Sequence, residues 1–193
     1  MKMILASSSR SRADILRRAG VEFEIVPAHV DEDAVKNSMA GSSAHVIADA
    51  LAELKALSTN HPNALVLGAD QILEFEGEIV SKSESMDEAA DLLCRLRGKS
   101  HRLVTAAVLA KGGKPVWRHV ETSTLHMREF SDEFLKTYLA EEGQGLLAGV
   151  GCYRLEGRGA QLFEQIDGDY FAILGLPLLP LMAGLRELGI LTV

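Results

Sequence analysis

The stretch "NALVLGAD" at residues 63–70 constrains the fold of this chain most strongly, because it is a nearly continuous apolar run that ends in an acid. Such a run is typical of a strand that is covered on both faces of its sheet. Around it, strand-like and helix-like segments alternate, and antiparallel hairpins interrupt the alternation in the middle of the chain. We therefore predict an α/β fold with a mixed, partly antiparallel central sheet flanked by helices.

Hydrophobic spacing, capping residues and turn residues give the individual elements. The predicted helices are "RSRADILRRAG", residues 43–58, the segment from the Ser85 and Glu88 capping box to Gly98, residues 131–142, and a last helix that starts at Pro177. The predicted strands are residues 2–6, "EFEIVP", "NALVLGAD", the hairpin "QILEFEGEIV", "HRLVTAAVLAK" and "PVWRHVETSTLHMREF". The glycine-rich segment at residues 143–159 is expected to carry strand and turn. Because no linker or repeat is visible, residues 1–193 are predicted to form a single domain.

The composition excludes several classes of protein. The 193 residues carry a net charge of −7, which argues against a general nucleic-acid binder, because such proteins carry a basic excess. The longest apolar stretch, "YFAILGLPLLPLMAGL", is too short for a membrane span and contains two prolines, so it is predicted to be buried core. The two cysteines, Cys94 and Cys152, fit a reducing compartment. We expect a cytoplasmic protein with neither a nucleic-acid polymer nor a membrane as partner.

The turn "SSSRSR" at residues 7–12 is the first candidate for chemistry. A serine-rich turn that enters a helix presents backbone N–H groups at the positive end of the helix dipole, where anions bind. Arg10 and Arg12 add charge that can neutralise a phosphate. The plainer alternative is that one serine caps the helix and that both arginines are solvated.

Asp70 and two lysines are the next candidates. Asp70 ends the buried strand, at the place where open α/β sheets bind ligands. Phosphates would repel its carboxylate unless a divalent cation lay between them or the carboxylate took a proton from water. An acid here can equally cap the turn that follows. Lys55, at the edge of an apolar helix face, and Lys82, after the hairpin, are candidate phosphate ligands, although most lysines are simply solvated.

The segment at residues 151–169 combines glycines with acids. Glu156 can accept hydrogen bonds from the amino and imino groups of a nucleobase, and Asp167 and Asp169 offer oxygen ligands. The alternative is a system of tight turns with solvated acids. The sequence contains no P-loop, H-E-x-x-H, zinc-finger or G-x-S-x-G pattern.

Five of these segments, taken in order, carry a resemblance to a known family. "LASSSRSRADIL", "GADQ", "GEIVSK", "LRGKSHRLVTA" and "EGRG…IDGDYFAILGLPL" resemble the signatures of the Maf family of nucleoside triphosphate pyrophosphatases, from about residue 4 to residue 188. The resemblance implies two α/β lobes around a cleft. It also implies hydrolysis between the α- and β-phosphates of a nucleotide, removal of non-standard nucleotides from the pool, and a link to the arrest of cell division. It is compatible with a homodimer.

The resemblance also assigns roles to residues. Asp70 matches the catalytic acid, and the resemblance leaves open whether it accepts a proton or binds the metal. The phosphate-handling positions are matched by Ser7, Ser9, Arg12, Lys55 and Lys82. The metal positions are matched by Glu32 and Asp70, for a divalent cation such as Mg²⁺ or Mn²⁺. The base-specificity positions are matched by Ser11, Gln71 and Glu156, a combination similar to the subgroup that acts on 7-methyl-GTP.

Three positions depart from the family pattern. Arg10 stands in place of a proline, Ala13 in place of a second arginine, and Ser83 in place of a second proline. These departures keep an alternative open, namely a catalytically weak nucleotide-binding regulator of septum formation. A third hypothesis is an interaction protein in septum formation, for which the phosphate-site residues would be dispensable.

Overall fold

The structure is a computed structural model that describes residues 2–59 and 61–192. Its strands are β1 (Met3–Leu5), β2 (Glu24–Ile25), β3 (Leu65–Phe75), β4 (Glu78–Val80), β5 (Ser100–Lys111), β6 (Lys114–Met127) and β7 (Phe163–Asp167). Its α-helices are α1 (Arg10–Arg18), α2 (Glu32–Ser38), α3 (Ala44–Leu57), α4 (Met86–Leu96), α5 (Asp132–Glu142), α6 (Tyr170–Ile173) and α7 (Leu178–Glu187). Two 3₁₀ helices span Gly143–Ala148 and Arg158–Leu162.

The strands form one mixed sheet in the order β2-β1-β3-β5-β6-β7, with β4 paired to β3. Strand β1 runs parallel to β2 and to β3, whereas the β3–β4 and β6–β7 pairs are antiparallel. Strands β5 and β6 are neighbours joined by the short turn at Gly112 and Gly113, and so short a connection requires antiparallel strands. The predicted mixed α/β class is confirmed.

The chain divides into two compact units. The first unit comprises Met1–Gln71, Val104–Glu121 and Asp169–Val193, and the second comprises Ile72–Leu103 and Thr122–Gly168. Strands β3, β5 and β6 each contribute residues to both units. That residues 1–193 act as a single domain stays a prediction.

The core of the first unit forms where α1 and α7 pack against apolar strands. Leu16 of α1, Leu67 of β3 and Leu181 of α7 belong to one cluster and are fully buried. Burial of a leucine contributes about 1.5–3 kcal/mol. The same core takes in much of the long apolar stretch around α7, as predicted.

The second unit is built around α4 and a cluster of aromatic rings. Helix α4 begins with Ser85 as its N-cap, whose Oγ accepts a hydrogen bond from the Glu88 backbone N–H at 3.2 Å. The Glu88 carboxylate reaches back to the Glu84 N–H at 2.9 Å, one residue earlier than a capping box requires. The rings of Tyr153 and Phe163 meet edge to face with centroids 4.9 Å apart.

Three sequence predictions were wrong or incomplete. Within residues 143–159 the structure has 3₁₀ and turn conformation and no strand, and the strand β7 starts only at Phe163. Helix α2 was not predicted because it buries none of its residues, so it carries no apolar periodicity. Helix α6 was not predicted because it is only four residues long.

In the part of the chain that the structure describes, no helix reaches the length and apolar character needed to cross a bilayer.

Candidate active site

The serine-rich turn forms a network of hydrogen bonds around the start of α1. Ser9 is the N-cap of α1, and its Oγ accepts a hydrogen bond from the Arg12 backbone N–H at 3.4 Å. The alternative that one serine of the turn caps the helix is therefore correct for Ser9. Ser7 is buried, and its Oγ accepts from the Ser9 N–H and from Arg12 Nη1, both at 3.2 Å. The turn therefore holds the Arg12 guanidinium against the start of the helix.

Arg12 and its neighbour Ser11 also contact the segment after α6. Arg12 Nε donates to the Gly175 carbonyl at 2.8 Å, and Ser11 Oγ donates to the Leu174 carbonyl at 2.9 Å. Burial lowers the pKa of Arg12, while the charges of Asp70 and Glu32 act in the opposite direction. Since an arginine stays protonated in proteins, Arg12 is a half-buried cation close to two carboxylates.

A lysine and two carboxylates form the centre of the site. Lys55 Nζ lies 2.6 Å from Asp70 Oδ1 and 2.6 Å from Glu32 Oε1. Lys55 is 9% exposed and Asp70 is 4% exposed. Burial raises the pKa of Asp70, and the neighbouring Lys55 and Arg12 oppose that rise. A paired ammonium is what makes a carboxylate at this depth tolerable.

A glycine explains why Lys55 reaches Asp70. Gly68 of β3 lies against α3, where an added Cβ would stand 2.2 Å from the Ala52 carbonyl oxygen and 2.4 Å from the Ala56 backbone nitrogen. Only a residue without a side chain lets helix and strand approach this closely. A glycine inside a buried strand is a sequence signal for such an approach, so this contact was open to prediction.

Gln71 follows Asp70 in β3 and faces the opposite way, as consecutive strand residues do. Whereas Asp70 contacts α3, Gln71 Nε2 donates to Thr105 Oγ1 at 2.9 Å and to the carbonyls of Ala172 at 2.9 Å and Ile173 at 3.0 Å. The roles of Thr105 and of these carbonyls were missed by the sequence analysis. They lie 34 or more positions from Gln71, and no local pattern marks them.

The ten predicted site residues fall in both units. Eight of them belong to the first unit, namely Ser7, Ser9, Ser11, Arg12, Glu32, Lys55, Asp70 and Gln71. Lys82 and Glu156 belong to the second unit, where Glu156 pairs with Arg154 at 3.5 Å.

The departures from the family pattern have distinct surroundings. Arg10 is exposed at the first position of α1, whereas Ala13 is 2% exposed and packs in the apolar core of the first unit. Ser83, in the second unit, is buried and accepts a hydrogen bond from Cys152 Sγ at 3.3 Å.

Oxygen ligands for a metal ion are few. Among residues 2–59 and 61–192 there is no group of three or more His, Cys, Asp or Glu side chains that could hold a metal ion. Glu32 and Asp70 are two carboxylates that share one ammonium, and this set suits a hard cation such as Mg²⁺, which commonly takes one or two carboxylates and fills its shell with phosphate and water.

The buried Lys55 and the half-buried Arg12, beside carboxylates and a serine-capped helix start, form a set of groups that could bind a phosphate-bearing anion. Comparison with known proteins agrees with this class, because residues 2–188 match the family of Maf-like proteins. The chain belongs to this family.

Curated relatives align over nearly the whole chain. A protein of Granulibacter bethesdensis named nucleoside triphosphate pyrophosphatase is 53% identical, with 100% of both chains covered. One of the same name from Maricaulis maris is 50% identical, with 98% of both covered. A protein of Brucella abortus named 7-methyl-GTP pyrophosphatase is 44% identical over 97% of this chain and 96% of its own. A solved dITP/XTP pyrophosphatase of Mycobacterium abscessus aligns with a TM-score of 0.39 and 16% identity over 77% of this chain and 97% of its own, too weakly to support an argument.

Proposed function

We propose that this chain is a nucleoside triphosphate pyrophosphatase. It hydrolyses the anhydride between the α- and β-phosphates and releases a nucleoside monophosphate and pyrophosphate. One observation carries the proposal: the contacts of the buried Lys55 with Asp70 and Glu32 lie in the same unit as the serine–arginine turn that holds Arg12. The names of the relatives support the same reaction.

The roles of the residues follow from the charge of the substrate. Hydrolysis of a phosphoanhydride requires positioning and neutralisation of charge more than covalent chemistry. The proposed phosphate ligands are Ser7, Ser9, Arg12 and Lys55 of the first unit and Lys82 of the second. Asp70 is proposed to orient or deprotonate the attacking water, or alternatively to bind the metal.

We propose a divalent metal, Mg²⁺ or Mn²⁺, with Glu32 and Asp70 as its protein ligands. When bound, the metal offsets negative charge on the phosphates. Because two carboxylates are too few to complete its coordination shell, the remaining ligands would be phosphate oxygens and water, and the metal would arrive with the nucleotide. Lys55 Nζ lies 2.6 Å from an oxygen of each carboxylate and offsets part of their negative charge.

The base would be read by Ser11, Gln71 and Glu156. The carboxylate of Glu156 can accept hydrogen bonds from a guanine edge, on which N1–H and the N2 amino group are both donors. Together with the name of the Brucella relative, this favours a modified nucleotide of the 7-methyl-GTP kind.

The proposed setting is removal of non-standard nucleotides in the cytoplasm, with a possible homodimer, no nucleic-acid polymer as partner, and a link to arrest of cell division. Two free cysteines, exposed Cys94 and buried Cys152, are consistent with a reducing compartment.

The experiment is incubation of the purified protein with ordinary and modified nucleoside triphosphates, including 7-methyl-GTP, plus Mg²⁺ or Mn²⁺ in H₂¹⁸O. The expected products are monophosphate and pyrophosphate, and the ¹⁸O label tells which phosphorus the water attacks. Diphosphate with free phosphate would contradict the proposed cut.

Two variants assign the role of Asp70. Asp70→Asn is expected to lower kcat about 10²–10⁴-fold if Asp70 is a general base. If Asp70 mainly binds metal, Asp70→Asn and Glu32→Gln will both raise the metal concentration needed for half-maximal rate. Asp33→Asn, at an exposed neighbour on α2, is the control and should behave as wild type.

The second candidate function is the catalytically weak regulator. It is favoured by Ala13, which is buried in apolar core where the family pattern has an arginine, while Arg10 is exposed at the start of the helix. Losing one guanidinium from a phosphate site costs about 1.5–3 kcal/mol. Nucleotide binding without product at any metal concentration would select this candidate.

A further inference from the structure

The end of α6 offers a row of carbonyls to the site. The last carbonyls of a helix lack partners within the helix and must find them elsewhere. Here four consecutive carbonyls, those of Ala172–Gly175, each accept a hydrogen bond from a side chain; we call this segment the carbonyl turn. The side-chain donors are Gln71 and Thr105 to Ala172, Gln71 to Ile173, Ser11 to Leu174, and Arg12 to Gly175, at 2.8–3.0 Å.

These contacts decide which end of the Gln71 amide is held inside the protein. The carbonyls of Ala172 and Ile173 can only accept, so the NH₂ group of Gln71 must face them and the opposite orientation is excluded. Thr105 fits the same arrangement, because its hydroxyl proton goes to Ala172 and its lone pair accepts from Gln71. Both protons of the Gln71 amide are therefore used.

The carbonyl oxygen of Gln71 is left over. Among the groups that the structure describes, none donates a hydrogen bond to Gln71 Oε1. This oxygen is also not one of the fully buried polar atoms that lack a partner. It is therefore open to solvent. Ser11 is in a similar state: its single proton goes to Leu174, and only its oxygen lone pairs remain.

We propose that the carbonyl turn is a positioning element that fixes Ser11 and Gln71 as hydrogen-bond acceptors, so that the site selects a nucleotide whose base offers an N–H donor at the contacted edge. This proposal rests on the proposed function, because it takes Ser11 and Gln71 to face the base. A base whose corresponding N–H is replaced by N–CH₃ meets two acceptors and cannot satisfy them.

Gly175 is the residue of the carbonyl turn at which a substitution should disturb the turn most. Its φ is +104°, a conformation that L side chains rarely adopt, and an added Cβ would stand 3.4 Å from Arg12 Nε. An alanine here must therefore displace the carbonyls that hold Arg12 and Ser11. Gly189 also has a positive φ, +70°, with no atom within 4 Å of an added Cβ, so an alanine there meets positive-φ strain without a contact to the site.

The first test compares nucleotides that keep or lack the N–H donors at one nitrogen of the base. The pairs are GTP with N1-methyl-GTP, ATP with N6,N6-dimethyl-ATP and UTP with N3-methyl-UTP, measured by calorimetric binding and by turnover. For the pair that contains the preferred base, the wild type should favour the N–H form at least about 10-fold. Gln71→Ala and Ser11→Ala should each reduce this preference. Equal affinity for both members of every pair overturns the proposal.

The second test uses the glycines. Gly175→Ala, shown to be folded by circular dichroism, should reduce the N–H preference and raise KM, with kcat changed less than KM. Gly189→Ala, the matched control, should keep the wild-type preference and KM. If kcat falls and KM rises by equal factors in both variants, the carbonyl turn has a merely structural role and the proposal is overturned.

The two proposals fail in different ways. If the wild type turns over no nucleotide, the proposed function fails, yet calorimetry still compares the paired nucleotides because binding needs no hydrolysis. A wild type that turns over nucleotides but treats N–H and N–CH₃ forms alike removes the present proposal and leaves the pyrophosphatase intact. Absence of binding to any nucleotide overturns both.

Discussion

His101 is expected to make the stability of this protein depend on pH in mildly acidic solution. It is 2% exposed, its Nε2 lies 2.6 Å from Tyr153 Oη, and its Nδ1 is buried without a hydrogen-bond partner. Burial, with a smaller contribution from the charge of His126, lowers the pKa of His101 from 6.5 to about 4. A protonated ring would have to place a charged N–H where nothing accepts it.

The size and the sign of the effect follow from these two values. In the unfolded chain the imidazole takes up a proton near pH 6.5, whereas in the folded protein it does so only near pH 4. Between these values the unfolded state binds more protons, so the free energy of unfolding falls as the pH falls. At about 1.4 kcal/mol for each pH unit, the loss is about 3 kcal/mol, complete near pH 4 and absent above pH 6.5.

The assay is urea unfolding between pH 4 and pH 7.5, comparing the wild type with His101→Gln. The amide of glutamine can still bond to Tyr153 Oη but does not titrate in this range, so the variant should lack the decline. Taking the difference between the two proteins cancels other groups, including Asp70, whose raised pKa acts with the opposite sign. His29→Gln, at an exposed position, is the control and should follow the wild type.

Two probes are needed because the protein has two units. Trp117, the single tryptophan, reports on the first unit by fluorescence, and far-ultraviolet circular dichroism reports on both. Coincident transitions justify a two-state treatment. A stability difference between wild type and His101→Gln that stays constant from pH 4 to pH 7.5 would refute the reasoning.

Two further predictions concern stability. Glu76 has a φ of +52° in the turn between β3 and β4, a conformation that asparagine adopts more readily than glutamate. Glu76→Asn should therefore raise the free energy of unfolding, measured in urea, by about 0.5 kcal/mol, although it removes an exposed ion pair with Lys99. A destabilised variant would contradict this prediction. Gly184 of α7 packs against the indole, where an added Cβ would lie 2.6 Å from Trp117 Nε1. Gly184→Ala should cost about 1–3 kcal/mol and shift the tryptophan emission, whereas Gly145→Ala, where an added Cβ meets no atom within 4 Å, should leave the emission unchanged.

Local signals in the sequence were reliable where one element carried its own pattern. The serine caps at Ser9, Ser85 and Ser131 and the apolar spacing of α3 fixed helices at the predicted places. The fully apolar part of β3 was likewise recognisable. Helices α2 and α6 escaped because one buries no residue and the other has a single turn, so neither repeats a pattern long enough to detect.

The sequence predicted the candidate site as a set of residues and not as an arrangement. The resemblance to the Maf family named Ser11, Arg12 and Gln71, but nothing in their neighbourhoods indicates that all three hold the carbonyls after α6. Those contacts join residues 101 to 163 positions apart. They depend on how α1, β3 and α6 pack together.

The sequence by itself determined the class of fold, the family and the chemical kinds of side chain available to a phosphate-bearing ligand, because these follow from local periodicity, caps and motifs. Only the tertiary structure decided that Lys55 contacts Asp70 and Glu32 together, and that the Gln71 amide turns its NH₂ inward. The physical reason is that charge pairing and hydrogen-bond direction depend on which distant groups share a buried space, and a one-dimensional pattern carries no distances.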